Sequence, residues 1–329
     1  MTVLQKVLRR VDSFQRGAPG VGFLFGVVRK FGDDRGGTLA ALLAYYGFLS
    51  LFPLLLVAVT VLGYVLGGHP GLRSSLLNSA VAQFPIIGNQ LTRNVSRPLT
   101  GNVAGLVIGV LGLLWGALGV AQAGQYAMAQ VWNVPNDKRP GFLPRLARGA
   151  GFFGVLGLSA VVTPALSAVA GFGGHVPMVT HVAAPLVATV ANVGLYLLAF
   201  RVLTPASVPT AALLPGAVVG GIGWEILQVA GGYLIGHQLR HSSQVYGMFG
   251  MVLGLIGWLY MGAQLGIYAA EVNVVRHRRL WPRSLVQPPL TDSDREVLVD
   301  LVEEEKRRPE VEVDVEVKER DLPEGAGRS

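Results

Sequence analysis

Apolar residues in this chain run in long stretches that contain no Asp, Glu, Lys or Arg. Five such stretches cover residues 36–72, 98–136, 149–200, 202–224 and 241–270. A helix that crosses a membrane needs about 20 consecutive, predominantly apolar residues. Each stretch reaches this length, and the pattern therefore predicts a protein that crosses a membrane several times as α-helices.

Six membrane spans fit these stretches. They are expected at approximately residues 38–66, 103–131, 149–170, 178–200, 211–236 and 246–274. The stretch 149–200 must hold two of them, because one helix of its 52 residues would be about 78 Å long, against a hydrocarbon core of about 30 Å. The predicted fold class is an all-α membrane protein, a bundle of six transmembrane helices.

The distribution of basic residues orients the predicted bundle. With both termini in the cytoplasm, 16 of the 20 Lys and Arg residues in positions 1–283 lie on the cytoplasmic side. The remaining four, Arg73, Arg93, Arg97 and Arg240, lie outside. Because cytoplasmic loops carry an excess of Lys and Arg, the N- and C-termini are predicted to be cytoplasmic.

A basic segment, residues 1–37, precedes the spans. Lys6, Arg9 and Arg10 alternate there with apolar residues, which is the spacing of a basic amphipathic helix. We expect this segment to lie on the anionic lipids of the inner leaflet, with a solvated helix as the alternative.

A charged tail, residues 281–329, follows the spans. From residue 284 onward it holds 14 Asp and Glu against 7 Lys and Arg. Ser293 and Glu296 have the spacing of a capping box, so one short helix is predicted there, while the residues from 309 onward are predicted to be disordered. The tail is interpreted as a solubilising extension, with a partner-binding role as the alternative.

Composition narrows the chemistry of the chain. Only 14% of its 329 residues are charged, against about 25% in a typical soluble domain, and it has no cysteine. Disulfides, thiolate nucleophiles and cysteine-bound metals are therefore excluded. Its six histidines form no close His–Asp cluster of the kind that a metal-dependent nuclease requires. We predict no catalytic residues, no metal site, no cofactor and no enzymatic activity.

The few polar residues inside the predicted spans are the candidates for function, because polar side chains are costly in hydrocarbon. We expect them to line one polar cavity in the cytoplasmic half of the bilayer, which ends near Glu225 at the midplane. The candidate cavity residues are Tyr46, Ser50, Gln122, Gln125, Glu225, Gln228, Tyr260 and Gln264. The alternative is a set of interhelical hydrogen bonds that only hold the bundle together.

Further positions are predicted to shape the bundle. Pro53 is expected to break the first span, because proline removes a backbone hydrogen bond. Arg201 and Glu271 fall at the same cytoplasmic rim and are expected to form an ion pair. Glycines at four-residue spacing, such as Gly112–Gly116 and Gly216–Gly220, predict close helix packing within the bundle, with a homo-oligomer seam as the alternative.

The run AALLAYYGFLSLFP at residues 40–53 resembles the first-span signature of the YihY/virulence factor BrkB family of inner-membrane proteins. Similar matches are Val131–Pro135 before a basic loop, Leu214–Ala217 with Trp224-Glu225, and the segment from Tyr246 to Glu271. The resemblance covers about residues 20–280. It implies the same six-span architecture and a multi-pass protein of the bacterial inner membrane.

The resemblance also bears on function, since roles in serum resistance, transport and envelope lipid homeostasis are suggested for this family. It implies a transporter or lipid-translocating protein whose substrate is an unidentified small molecule, ion or lipid. The competing hypothesis is a non-transporting scaffold for envelope assembly. An older family label, ribonuclease BN, finds no support in these residues. The basic clusters alternate with the spans, so topology explains them and no nucleic-acid partner is expected.

Overall fold

The computed structural model describes residue 10 and residues 12–65, 103–172, 177–234, 240–287 and 289–317. Regular secondary structure within these residues is entirely helical, which confirms the predicted all-α class. Three parts of the predicted architecture lie outside the described residues: Lys6 and Arg9 of the basic segment, the connection between the first two predicted spans at 67–102, and the tail from residue 318 onward.

The helices of the described residues are numbered here along the chain. Helix α1 spans Pro19–Asp33 and follows a helical segment at residues 12–17. Six long helices come next: α2 (Gly36–Val65), α3 (Val103–Val131), α4 (Phe142–Phe172), α5 (Pro177–Leu203), α6 (Thr210–Leu234) and α7 (Arg240–Arg278). Helix α8 (Asp292–Glu304) lies in the tail.

Helices α2–α7 coincide with the positions of the six predicted spans. Within the described residues, three segments are long and apolar enough to cross a membrane: Pro185–Leu203, Thr210–Gly231 and Val252–Arg278. Gly36–Leu51 of α2 is a shorter apolar helix. The structure therefore shows a helical membrane protein with three candidate spans, and the total of six stays a prediction.

The predicted helix break at Pro53 does not occur. Helix α2 continues through this residue to Val65. Proline removes a single intrahelical hydrogen bond, and membrane helices tolerate this loss where neighbouring groups compensate for the freed carbonyl.

Two glycines show how closely the long helices pack. A Cβ atom added at Gly216 of α6 would overlap the carbonyl oxygen of Ala269 in α7. At Gly116 of α3, an added Cβ atom would lie 2.9 Å from the Cα atom of Ser50 in α2. These approaches occur at positions that the small-residue spacing predicted, and they bring backbones together where lipid supplies no drive for association.

The N-terminal helices, the α3–α4 connection and the tail meet at one end of the bundle, which we call the rim. Gln15 donates a hydrogen bond from Nε2 to the carbonyl oxygen of Arg283 (2.5 Å), and Asn136 donates one from Nδ2 to the carbonyl oxygen of Glu304 (3.0 Å). Buried apolar side chains join the same segments, among them Val27, Trp132, Leu280 and Val297. The tail up to the end of α8 is thus part of the packed structure.

The tail helix α8 begins two residues before the predicted capping box. Thr291 Oγ1 accepts a hydrogen bond from the Asp294 N–H (3.2 Å), and Asp294 Oδ2 accepts one from the Thr291 N–H (3.0 Å). The predicted cap at Ser293 and Glu296 was therefore wrong. Asp294 is fully buried at the rim, so tertiary contacts select this cap over the neighbouring one with the same spacing.

Candidate functional site

A cavity of about 600 Å³ opens at the rim between α2, α3 and the beginning of α4, and we call it the rim cavity. Three predicted cavity residues line it: Tyr46 from α2, and Gln122 and Gln125 from α3. Small and apolar residues, such as Leu42 and Ala123, form part of the remaining wall. The structure therefore brings together a subset of the predicted site, close to the connection between α3 and α4.

Three arginines also line the rim cavity: Arg139, Arg145 and Arg148. No Asp or Glu is among the described residues that line it. The Arg139 guanidinium donates hydrogen bonds of 2.8 Å to the side-chain oxygens of Gln130 and Glu304, and it lies 5.3 Å from the centre of the Tyr126 ring. One of the three positive charges is therefore balanced by a carboxylate from the tail helix.

The other two arginines are less engaged. Arg145 donates a hydrogen bond from its guanidinium to the carbonyl oxygen of Pro140 (3.0 Å). Arg148 is half-buried and has no hydrogen-bond or ion-pair partner in the part of the chain that the structure describes. Gln125 donates from Nε2 to the backbone oxygen of Arg145 (3.0 Å), which ties the start of α4 to α3 and holds Arg145 at the cavity wall.

Glu225 lies outside the rim cavity and is paired within the bundle. Its Oε1 atom accepts a hydrogen bond of 2.6 Å from Asn192 Nδ2, which links α6 to α5. Asn192 lies at the edge of a second cavity, of about 370 Å³, whose described walls are mostly apolar and include Trp224 and Trp258. The predicted continuous cavity from the cytoplasm to Glu225 is thus not formed by the described residues.

Three of the four remaining candidates make hydrogen bonds within their own helix. Ser50 Oγ donates a hydrogen bond to the Gly47 carbonyl oxygen (2.8 Å) within α2. Gln264 donates from Nε2 to the Tyr260 hydroxyl (3.0 Å), one turn earlier in α7. The Oε1 atom of Gln228 is buried and receives no hydrogen bond from the described residues. None of these four side chains is among the described lining of the rim cavity.

Arg201 and Glu271 are not brought together as an ion pair. Arg201 is exposed at the end of α5, whereas the Glu271 side chain is completely buried in α7. The charged neighbours of Glu271 include Lys30 and Asp34, which are four residues apart at the end of α1. The position of Glu271 relative to the membrane stays a prediction, and its charged neighbours come from the segment that precedes the predicted spans.

Lys30, Asp34 and Glu271 form a buried charged group that we call the rim cluster. Lys30 Nζ contacts the Asp34 carboxylate and donates to the Val131 carbonyl oxygen (3.1 Å). Burial raises the pKa of Asp34 above its ordinary value, and the Lys30 ammonium opposes that rise. Both oxygens of Glu271 and Oδ1 of Asp34 lack a donor among the described residues. Because one cation faces two carboxyl groups, a proton bound between them would balance the charge.

A second buried ion pair holds the tail against the rim. Arg283 donates from Nε to Asp294 Oδ1 (2.6 Å) and from Nη2 to Asp33 Oδ2 (2.8 Å). Burial alone would raise the pKa of Asp294, but hydrogen bonds from Arg283, Ser284 and Thr291 hold that pKa well below its usual range. This ion pair fixes α8 close to α1.

Glu304 joins the tail to the rim cavity. Besides Arg139, its carboxylate accepts a hydrogen bond from Asn133 Nδ2 (2.9 Å), and burial raises its pKa while both partners oppose that rise. Asn133 adopts a left-handed backbone conformation with φ 46°, which asparagine accepts more readily than most residues. The end of α8 is thereby placed within reach of the cavity lining.

Sequence reasoning missed the arginines and the rim cluster for a common reason. In the sequence, Lys30 and the arginines of residues 139–148 indicate the topology of the spans. That use of a basic residue does not predict which groups its side chain contacts. The four-residue spacing of Lys30 and Asp34 is a signal of a helical ion pair that the sequence did contain. No local signal could have shown that Asp33, Arg283 and Asp294 meet, because 250 positions separate the first two.

The chain is similar to known proteins over most of its length. A family model described as "Virulence factor BrkB" matches residues 27–291. An uncharacterized protein of Dickeya dadantii (strain 3937) is 27% identical over 278 residues, which cover 78% of this chain and 83% of that protein. The Inner membrane protein YhjD of Escherichia coli (strain K12) is 25% identical over 288 residues, covering 81% of this chain and 84% of YhjD.

A third relative carries a different kind of name. The Putative ribonuclease-like protein YfkH of Bacillus subtilis (strain 168) is 24% identical over 275 residues, which cover 78% of this chain and 96% of YfkH. No solved structure matches the chain significantly. The family match spans the region from the end of α1 to the tail and so includes both the rim cavity and the rim cluster.

Proposed function

We propose that this protein, which belongs to the virulence factor BrkB family, moves a solute or lipid across the bacterial inner membrane through a cavity that opens to the cytoplasm. The observation that carries the proposal is the rim cavity of about 600 Å³. Its volume falls in the range of about 300–1,000 Å³ that is usual for ligand sites.

Six spans with cytoplasmic termini form part of this proposal. Helices α2–α7 contain 25 to 39 residues each. The shortest is about 37 Å long at 1.5 Å per residue, which exceeds the hydrocarbon thickness of about 30 Å. The rim joins the described parts of both terminal segments and the connection at residues 132–148 on one side of the bundle, and the Lys and Arg residues of these segments favour the cytoplasm. The name of the E. coli relative, an inner membrane protein, supports the same location.

A ligand-binding cavity explains the polar lining better than a purely structural role does. Neither Arg145, which is exposed, nor Arg148, which is half-buried, has a carboxylate partner among the described residues, and leaving the half-buried Arg148 charge unpaired is costly. Water or a ligand must therefore contact them. A scaffold function would not require a site of this kind.

The alternative function, a scaffold for envelope assembly, has one observation in its favour. Asn192 donates a hydrogen bond to Glu225 between α5 and α6 inside the bundle. Polar pairs of this kind stabilise membrane bundles without taking part in transport. They support a structural role for Glu225, and the transport proposal rests on the rim cavity alone.

Lipid translocation in reconstituted vesicles tests the proposal. The purified full chain is placed in vesicles that contain fluorescent phosphatidylglycerol or phosphatidylethanolamine, and dithionite bleaches the label from outside. We expect the protein to expose the inner-leaflet label, and the double change Tyr46→Phe/Gln122→Leu to slow this exposure. Glu225→Gln is the matched control, because it changes a polar span residue outside the cavity. If the wild-type protein moves neither lipid, and solute-loaded vesicles also release no phosphate ester, the scaffold hypothesis is favoured.

A further inference from the structure

We propose that the rim cavity binds the phosphate group of an anionic ligand, held by Arg145 and Arg148 with Arg139 as a third contact. The shared chemistry is a phosphate monoester or diester, carried by a lipid headgroup or by a free organic phosphate. This inference rests on the proposed function, because it names the class of substrate that the cavity would move.

The charge of the cavity is the first argument. Three guanidinium groups line it, and none of its described lining residues is acidic. Among the described residues, Glu304 is the one carboxylate that reaches any of the three, and it bonds to Arg139. Two positive charges remain uncompensated within one concave site. Arginine presents planar, forked donors that match phosphate oxygens in bidentate geometry, so the site is suited to phosphate more than to a monovalent halide.

The availability of the donors is the second argument. Arg145 is exposed, and within the described residues its guanidinium makes one hydrogen bond, to the Pro140 carbonyl oxygen. Arg148 is half-buried and its donors meet no acceptor among the described residues. Neutral donors stand beside them in the same lining, namely Gln122, Asn136 and the Tyr46 hydroxyl. The cavity thus offers both charge and neutral hydrogen-bond donors to the oxygens of one ligand.

Positioning of Arg145 is the third argument. Gln125 is buried and donates to the backbone oxygen of Arg145 (3.0 Å), across the gap between α3 and α4. This bond fixes the helix turn that carries Arg145 and, three residues later, Arg148. Gln125 is therefore a positioning residue, which prepares the two arginines before the ligand arrives.

Glu304 has a place in this site as an internal competitor. Its carboxylate accepts a 2.8 Å hydrogen bond from Arg139, in the way that a ligand phosphate would. Removing this carboxylate should free Arg139 for the ligand. The two kinds of substitution should therefore change ligand affinity in opposite directions. Loss of Arg145 and Arg148 weakens binding, whereas loss of the Glu304 charge strengthens it.

Binding of defined probes to the full chain tests the proposal. The protein is purified in a neutral detergent, and isothermal titration measures its affinity for glycerol 3-phosphate. In parallel, native mass spectrometry measures retention of phosphatidylglycerol against phosphatidylcholine. We expect Arg145→Gln/Arg148→Gln to reduce affinity at least tenfold, and Glu304→Gln to raise it severalfold. Arg201→Gln is the matched control, because Arg201 is an exposed arginine at the end of α5 outside the cavity lining, and this change should leave affinity unaltered.

The two probes distinguish the source of the phosphate. Binding of glycerol 3-phosphate that depends on the two arginines identifies a free organic phosphate as ligand. Arginine-dependent retention of phosphatidylglycerol without binding of glycerol 3-phosphate identifies a lipid headgroup. Circular dichroism of each variant checks that it is folded, and Arg145→Lys/Arg148→Lys, which keeps the charge, should retain part of the affinity in either case.

The proposal is overturned if neither probe binds, or if binding is equal in the wild-type protein, the double arginine variant and the Arg201→Gln control.

Failure of the transport proposal would give a different combination of results. Arginine-dependent binding without any translocation would leave the phosphate site in place and remove the transport function. Translocation that is insensitive to both arginines, with no phosphate binding, would keep transport and exclude this class of substrate.

Discussion

The rim cavity and the rim cluster lie at the same end of the bundle, but charged groups have opposite surroundings in the two. In the cluster, the Lys30 ammonium is fully buried and contacts the Asp34 carboxylate, with Glu271 beside them. In the cavity, Arg145 and Arg148 face open space without a carboxylate among the described residues. Charged groups that are buried and paired hold segments of the protein together, whereas charged groups that are unpaired and accessible to solvent can bind a ligand. Under the proposed function, this difference distinguishes structural from ligand-binding residues better than their expected depth in the membrane does.

The largest expected effect comes from removing the cation of the rim cluster. Lys30→Met would leave the Asp34 and Glu271 carboxyl groups buried without a positive charge. Breaking a buried ion pair in this way costs about 3–5 kcal/mol. Unfolding of the purified protein by denaturant in detergent would measure the loss, with Arg276→Gln, an exposed residue of α7, as control. Equal stability of Lys30→Met and the wild type would show that the cluster is not structural.

A smaller effect is expected where the tail is attached. Asp294→Asn removes the negative charge that pairs with Arg283 and should destabilise the packing of α8 by about 1.5–3 kcal/mol, the usual strength of a hydrogen bond to a charged group. Limited proteolysis of the tail and hydrogen exchange of α8 would measure this loss of stability.

The attachment of α8 should also depend on pH. The folded protein holds the pKa of Asp294 below its usual range, so this contribution is fully present above the unfolded pKa of about 3.9 and is lost as the pH falls towards the folded value. The wild-type protein should therefore release α8 more readily on acidification below about pH 4, and Asp294→Asn should show a weaker dependence on pH in that range. An unchanged pH dependence in the variant would contradict the assigned role of Asp294.

The smallest effect is expected at Glu225. A glutamine at this position can still accept a hydrogen bond from Asn192, so Glu225→Gln should change stability by about 0.6 kcal/mol, an average interhelical hydrogen bond, or less. Glu225→Leu leaves the Asn192 amide unpaired and should cost more. Thermal unfolding of both variants, together with their transport rates, would measure this. If a stable Glu225→Gln protein lost transport, Glu225 would have a functional role and not only a structural one.

The sequence predicted the structure best where a single physical requirement, such as the length of an apolar span or close helix packing, decides it. Charge-free stretches of sufficient length predicted the helical bundle, and the small-residue spacing predicted the close approach at Gly216. Residues Tyr46, Gln122 and Gln125 were recognised because polar side chains are rare within such stretches. Arg139, Arg145 and Arg148 were overlooked as ligands because a basic loop beside a span is already explained by topology. The contacts of Glu271 with Lys30 and of Arg283 with Asp33 join distant segments, which no local pattern encodes.

The central claim is that the rim cavity is water-accessible, faces the cytoplasm and is positively charged. Because the chain has no cysteine, Gln122→Cys provides a single thiol in the cavity wall. In inside-out vesicles, its rates of modification are measured with an anionic and a cationic methanethiosulfonate, each normalised to a small thiol in solution. The account predicts faster modification by the anionic reagent, a preference that disappears in the Arg145→Gln/Arg148→Gln background, and no modification in right-side-out vesicles. Faster reaction with the cationic reagent, or reaction only from the outside, would contradict it.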